Sequence, residues 1–171
     1  HEPTRERNIG GFETINANSL AYAFRLDYMF RKDSEIGVNF YAGNASPNRP
    51  KNDFENDSWV MYGDVHFALD KDPWRARAFG MLGHIQNSEL LSKANRNLSN
   101  NLDVKRTPVA KMAGGAYAEL AYDVFHLLRN PITHKLYVFT RLEWYDSMLQ
   151  TEGTVSDNPR YERKILTTGI N

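Results

Sequence analysis

Seven stretches of this chain alternate apolar and polar residues, and the connections between them alternate short and long. The clearest stretch runs Leu20, Tyr22, Phe24, Leu26, Tyr28 and Phe30 on even positions, with Ser19, Arg25, Asp27 and Arg31 between them. Strict alternation sends the two sets to opposite faces of a strand. A soluble strand hides its apolar face in a core. A strand of a transmembrane barrel turns that face to lipid and keeps the polar face toward an aqueous lumen. The rhythm of the connections favours the second arrangement, because outer-membrane barrels have short periplasmic turns and longer extracellular loops.

The pattern predicts strands over about 18–31, 35–43, 58–69, 74–85, 109–124, 134–146 and 161–171. Residues 1–17 read as a polar loop broken at Gly10-Gly11. Tight turns are expected around Lys32-Asp33 and at Asp70-Lys71-Asp72-Pro73. The long connections are 44–57, 86–108 and 147–160, and 125–133 is of middle length. Within 86–108 the cluster Leu90, Leu91 and Ala94 predicts a short helix over about 88–95.

Composition narrows the function classes. A chain of 171 residues with zero formal net charge, 25% charged and 41% hydrophobic, is enough for one domain spanning 1–171. No apolar run approaches the roughly 20 residues of a transmembrane helix. Mean hydropathy is −0.61, which does not exclude a barrel, since membrane strands are only half apolar. Cysteine is absent, which removes disulfides, thiolate catalysis, Cys-ligated zinc and iron–sulfur clusters. Zero net charge gives no support to a nucleic-acid partner. The opening His-Glu-Pro-Thr-Arg-Glu-Arg is not a signal peptide, so an exported protein would be represented here in mature or trimmed form.

Aromatic residues fall near the strand ends. Tyr28, Phe30, Phe67, Trp74 and Tyr122 lie on apolar faces beside the short turns, and Tyr22, Trp59 and Trp144 lie nearer the long loops. Amphipathic rings collect where bilayer meets water, although aromatics favour strands of any kind.

The polar face carries the candidate functional residues. Arg25, Arg75, Arg77, Lys111, Lys135, Arg141 and Arg163 modestly outnumber Asp27, Asp64, Glu119, Asp123 and Glu143. A basic pore wall favours anions, while cross-strand pairing would simply brace and solvate the wall. Arg75 and Arg77, two residues apart on one face, are the best candidates for a basic ladder. Arg141 and Glu143 are set to pair with Glu119 or Lys111 on the neighbouring strand. The expected pore-lining set is Arg25, Asp64, Arg75, Arg77, Lys111, Glu119, Arg141 and Glu143. Catalytic chemistry is not expected. Asp64 and His66 share a face, but Ser58, the serine that would complete a nucleophilic set, lies far along the strand, and no G-x-S-x-G occurs. The five histidines, His1, His66, His84, His126 and His134, lack ligand spacing, so no metal site is expected. The acidic runs at 53–57 and 70–72 do not fit a calcium loop. Asn44-Ala45-Ser46 and Asn97-Leu98-Ser99 match the glycosylation pattern, which carries no meaning in a bacterial outer membrane.

Three segments carry a family resemblance. Gly114-Gly115-Ala116-Tyr117-Ala118-Glu119-Leu120-Ala121-Tyr122-Asp123-Val124 resembles a late strand of bacterial outer-membrane porins related to the phosphate-selective porin O/P group. Tyr137-Val138-Phe139-Thr140-Arg141-Leu142-Glu143-Trp144-Tyr145-Asp146 resembles the strand that follows, with Leu142 where Tyr is common and Val138 where Pro is common. Arg163-Lys164-Ile165-Leu166-Thr167-Thr168-Gly169-Ile170-Asn171 resembles the next. Continuous resemblance covers 109–171; the first half is similar only in rhythm.

The resemblance implies an all-β fold, an antiparallel up-and-down transmembrane β-barrel. It also implies an outer-membrane location, a lipid bilayer around the wall, no cofactor, and a homo-oligomer, a trimer as in many porins. Such porins have roughly 16–18 strands and bacterial single-chain barrels have even numbers. Seven is odd, and Asn171 is not the terminal aromatic such barrels carry, so the expectation is an incomplete segment of a larger barrel. The expected function is passive diffusion of small hydrophilic solutes, with anions the class a basic wall would favour. Two other arrangements remain open. One is a soluble up-and-down barrel binding an apolar ligand inside. The other is a surface adhesin or receptor barrel whose Asn- and Ser-rich loops bind a partner.

Overall fold

The structure is a computed structural model that describes residues 20–46, 54–96, 108–128 and 134–171. The expected N-terminal polar loop, the first residues of strand one and the Asn97-Leu98-Ser99 pattern lie outside the described residues. Seven strands form one antiparallel sheet in strict sequence order: β1 (Ala21–Arg31), β2 (Ser34–Asn44), β3 (Trp59–Lys71), β4 (Trp74–Ile85), β5 (Met112–Asp123), β6 (Tyr137–Gln150) and β7 (Glu162–Ile170). The sheet is not closed: among the described residues β1 pairs only with β2, and β7 only with β6. Among the described residues one α-helix, α1 (Ser88–Arg96), follows β4, and short 3-10 turns occupy Val124–Leu128 and Pro159–Tyr161.

Register carries the sequence alternation across the whole sheet. One row joins Ile36, Phe67, Ala78, Ala118, Leu142 and Leu166 as successive partners. The next rows join Val38, Val65, Gly80, Ala116 and Trp144, and on the opposite face Arg25, Asn39, Asp64, Met81, Gly115, Tyr145 and Arg163. Because side chains alternate with period two, one register shift would mix the faces; none does so through the centre of the sheet. The apolar face is exposed, with Leu26 at 60%, Leu142 at 60% and Leu166 at 66% of full accessibility. Among the described residues no core lies against it. The small buried cluster sits instead at the long-loop rim, where Ala110, Met148 and Val155 pack with Tyr161.

Aromatic rings meet on the apolar face at the short-turn end. Phe30 and Phe67 stack at 6.0 Å between centroids, and Trp74 meets Tyr122 edge-on at 4.6 Å. Trp74 and Tyr122 are direct register partners, and a cross-strand aromatic pair of this kind adds roughly 0.2–1 kcal/mol.

The short-turn end is held by side chains that satisfy turn backbone. In the β1–β2 turn Asp33 takes a left-handed φ of 59°, which Asp tolerates better than most residues. Buried Ser34 accepts from the Asp70 amide at 3.0 Å, tying that turn to the end of β3. Buried Asp123 accepts from the Phe125 and Leu136 amides, both at 3.1 Å, and so spans the β5–β6 connection.

Element bounds differ from expectation in β5 and β6. β5 starts at Met112, with Lys111 ahead of it still bonded to Ile85 and Gln150, and its pairing with β6 is irregular between Met112 and Gly114, where Met112 lies opposite Gln150 and Gly114 opposite Asp146. The same irregularity lets β6 run on to Gln150 instead of stopping near 146. β6 starts only at Tyr137, because the Leu136 amide is taken by Asp123 rather than by the ladder.

Replacing Ser34 by Ala leaves the Asp70 amide without its side-chain partner. The expected loss is about 1–3 kcal/mol, read as a lowered denaturation midpoint of the folded chain. Ser147→Ala, at an exposed position, is expected to leave the midpoint unchanged.

Candidate functional site

The face opposite the apolar one gathers the charged residues into short cross-strand groups. On β1 and β3, Arg25 Nε lies 2.6 Å from Asp27 Oδ2, and Asp27 Oδ1 lies 3.0 Å from His66 Nε2. Asn39 Nδ2 donates to Asp64 Oδ1 at 2.7 Å, and His66 Nδ1 stands 3.9 Å from the same oxygen. Asp27 and His66 belong to different strands and meet across Gly37 of β2, their common register partner. A Cβ at Gly37 would fall on both side chains, so the missing side chain permits the contact.

A second group lies on β3 to β6. Arg75 Nε donates to Asp70 Oδ2 at 2.9 Å, and its guanidinium covers the Tyr137 ring at 4.3 Å. Arg77 Nη1 donates to the carbonyls of Leu69 (3.1 Å) and Ala76 (3.0 Å) and has no carboxylate within 4.0 Å among the described residues. Arg141 Nη2 lies 3.1 Å from Glu143 and Nη1 lies 3.9 Å from Glu119, with the guanidinium 4.0 Å above the Tyr117 ring. Arg75, Arg77, Glu119, Tyr137 and Phe139 line a cavity of about 190 Å³ on this face.

Of the eight residues expected to line a pore, Arg25, Asp64, Arg75, Arg77, Glu119, Arg141 and Glu143 share this face. Lys111 precedes β5 at the long-loop rim, where its charge acts on Glu152. Lys135 likewise precedes β6 and pairs with Asp72 at a short turn. Arg75 and Arg77 do not form a free basic ladder, since Arg75 is paired and stacked. The charge tally changes with these placements. Among the described strand residues, with Arg31 set aside beyond the register shift at the end of β1, the face carries Arg25, Arg75, Arg77, Arg141 and Arg163 against Asp27, Glu35, Asp64, Asp70, Glu119, Asp123 and Glu143, an acidic excess. Ser58 does not join Asp64 and His66. It is fully buried ahead of β3, its amide donating to Ser46 Oγ at 2.7 Å and Asn44 Oδ1 at 3.1 Å.

The long-loop rim is a second organised region. At the start of α1 the Ser88 hydroxyl (3.1 Å) and the Glu89 amide (3.3 Å) donate to Glu152 Oε2, which places a carboxylate at the positive helix end. Reciprocally, the Thr154 amide and hydroxyl donate to Glu89 Oε1, both at 3.0 Å, and Lys93 Nζ lies 3.0 Å from it. Between them Gly153 takes a left-handed φ of 60°, and a Cβ there would fall on the Glu89 carboxylate. Asn87 Nδ2 donates to the Asp57 carbonyl at 2.8 Å, so all three long connections are tied together. The Thr154 amide, with Lys93 and the Thr154 hydroxyl, pushes Glu89 down to a pKa of about 2. The Glu89 amide, with the Ser88 hydroxyl, lowers Glu152. This clasp was not visible in the sequence; the one local signal was Gly153 within a polar loop.

No protein-family model, no curated protein and no solved structure matches the chain.

Both clasp carboxylates are depressed, so their stabilising effect is complete above the ordinary carboxylate pKa of 4.5 and fades as pH falls toward 2. Amide exchange at Thr154 is expected to be slow above about pH 5, in line with the ordinary carboxylate range, and to lose protection toward pH 2. In Glu89→Ala or Gly153→Ala the protection is expected to be absent throughout; persistence in both variants would mean the clasp does not hold the loop.

Proposed function

We propose that this chain forms part of the wall of a bacterial outer-membrane porin and serves passive diffusion of small hydrophilic solutes. The observation that carries the reading is the separation of faces. A largely apolar, exposed face, interrupted at the long-loop end of β6 and β7 by Asp146, Glu162 and Lys164, backs a face of paired charges. An apolar surface this extensive is foreign to a soluble monomer and is what a lipid-facing wall requires. Strands of 9 to 14 residues match the roughly 9–11 residues that cross a bilayer when tilted. The soluble-barrel alternative needs the apolar set turned inward around a ligand, whereas Leu26, Leu142 and Leu166 stand 60% or more exposed, which favours the membrane reading.

The edges support the larger-barrel part of the reading. In an up-and-down sheet of seven, β1 and β7 run in the same direction, so they cannot close on each other with antiparallel pairing. An odd number of further strands completes such a wall, and in lipid an open edge leaves backbone groups unsatisfied at several kcal/mol each. The similarity of 109–171 to porins of the phosphate-selective O/P group agrees with this. Charge pairing on the lumenal face keeps the wall rigid and hydrated. An anion preference would rest on Arg77 and Arg163, which have no carboxylate within 4.0 Å among the described residues, against the acidic excess around them.

The absence of cysteine makes single-cysteine labelling clean. In detergent micelles a water-soluble maleimide is expected to modify Asn39→Cys and Thr167→Cys and to spare Leu26→Cys and Leu142→Cys. The opposite pattern would remove the membrane-wall reading.

A further inference from the structure

Arg77 of β4 and Glu119 of β5 are direct register partners on the charged face, yet they do not pair with each other. Opposite charges at such positions, with Cβ atoms about 4.5–5.5 Å apart, ordinarily attract. Arg77 Nη1 is spent instead on the Leu69 and Ala76 carbonyls, at 3.1 Å and 3.0 Å. Its Nε and Nη2 have no partner among the described residues. Glu119 accepts no side-chain hydrogen bond among the described residues. Arg141 comes only to 3.9 Å from it, beyond hydrogen-bond distance, and turns its other terminal nitrogen to Glu143 at 3.1 Å.

Both unpaired groups border the cavity of about 190 Å³. Its floor is Ala121, whose register partners on either side are Arg75 and Phe139. The Arg75 charge is already met by Asp70 at 2.9 Å, and its guanidinium lies on the Tyr137 ring. Phe139 is seated toward β7, where Gly169 has no side chain; a Cβ there would stand 2.8 Å from the ring. The lining therefore offers one spare cation, one spare anion and an apolar floor and wall. A carboxylate alone would be drawn by Arg77 and repelled by Glu119, and an amine the reverse. A molecule carrying both charges satisfies both. The volume lies below the roughly 300–1,000 Å³ of pockets for drug-sized ligands, which limits the occupant to a few heavy atoms.

We propose that this cavity is a subsite for a small zwitterion of the α-amino acid class on the lumenal wall. It rests on the porin reading and adds the class of solute. The carboxylate takes the free Nε and Nη2 edge of Arg77, a two-pronged match between a donor fork and two acceptor oxygens. The ammonium donates to Glu119, and a short side chain lies over Ala121 beside Phe139. The two carbonyl bonds of Nη1 hold the guanidinium in place for this. Arg77 and Glu119 are each only half-buried, so water weakens both contacts. Weak occupancy suits a pore, where a solute must also leave.

The test is NMR titration of the folded chain with L-alanine, followed at the Ala121 methyl and the Arg77 Nε–H. Saturable shifts at both are expected. Propionate, which lacks the ammonium, and ethylamine, which lacks the carboxylate, should each bind at least tenfold more weakly. Glu119→Gln keeps the shape of the side chain; it should weaken L-alanine tenfold or more and strengthen propionate. Arg77→Gln should weaken both, and Asp27→Asn, in the other charged group, neither. The comparison of the three ligands on the unaltered chain needs no variant, so a folding defect in a variant does not shield the proposal. Absence of saturable shifts would overturn the subsite. So would propionate bound as tightly as L-alanine, which would mark a plain anion site. Because binding is read without a bilayer, this failure is distinct from failure of the porin reading, which the cysteine labelling decides.

Discussion

The structure depends on uninterrupted in-register antiparallel pairing from β1 to β7. The ladder satisfies the backbone of the strand interiors, and its period-two geometry sorts side chains between two faces. Everything functional follows from that sorting. Were β3 to slip by one residue, Val65 and Phe67 would join the charges and Asp64 and His66 would enter the apolar face. The irregular steps in register lie at the ends of the strands, between Met29 and Arg31 and between Met112 and Gly114, away from the middle of the wall.

The two rims solve their backbone problem differently. The short-turn end uses buried Ser34 and Asp123, each accepting amide hydrogens that the ladder does not reach. The long-loop end uses a small core and a clasp of two carboxylates at α1. Its cluster of Ala110, Met148 and Val155 with Tyr161 is too small to organise a fold by burial alone. The polar clasp therefore orders the loop alongside it. Gly153 is the residue without which the two sides could not approach.

Local alternation made the strands legible in the sequence, because their side-chain period is a property of consecutive residues. The short helix was legible too: the expected span of about 88–95 becomes Ser88–Arg96. Pairing partners were less accessible. The pairing of Arg141 with Glu119 could be guessed from neighbouring strands of known order, but Arg75 turns to Asp70 across a tight turn, which depends on register. Lys111 and Lys135 looked like strand residues, since alternation continues through them. Lys111 still bonds through its backbone to Ile85 and Gln150 but lies at the rim ahead of the register irregularity, and the ladder stops short of Lys135 because Asp123 takes the Leu136 amide, which no periodicity reveals. Their removal, with Glu35 and Asp70 added, turns an expected basic excess into an acidic one. The Glu89–Gly153–Thr154 contact joins residues far apart in sequence, beyond any local pattern.

The central claim is that the apolar face meets lipid. All three tryptophans, Trp59, Trp74 and Trp144, lie on it, one to each of three strands and none on the charged face. Intrinsic fluorescence of the chain in vesicles containing brominated phospholipid therefore reports on that face alone. Strong quenching by the bromines with little quenching by aqueous acrylamide is the result this account requires. Quenching by acrylamide without quenching by brominated lipid would contradict it.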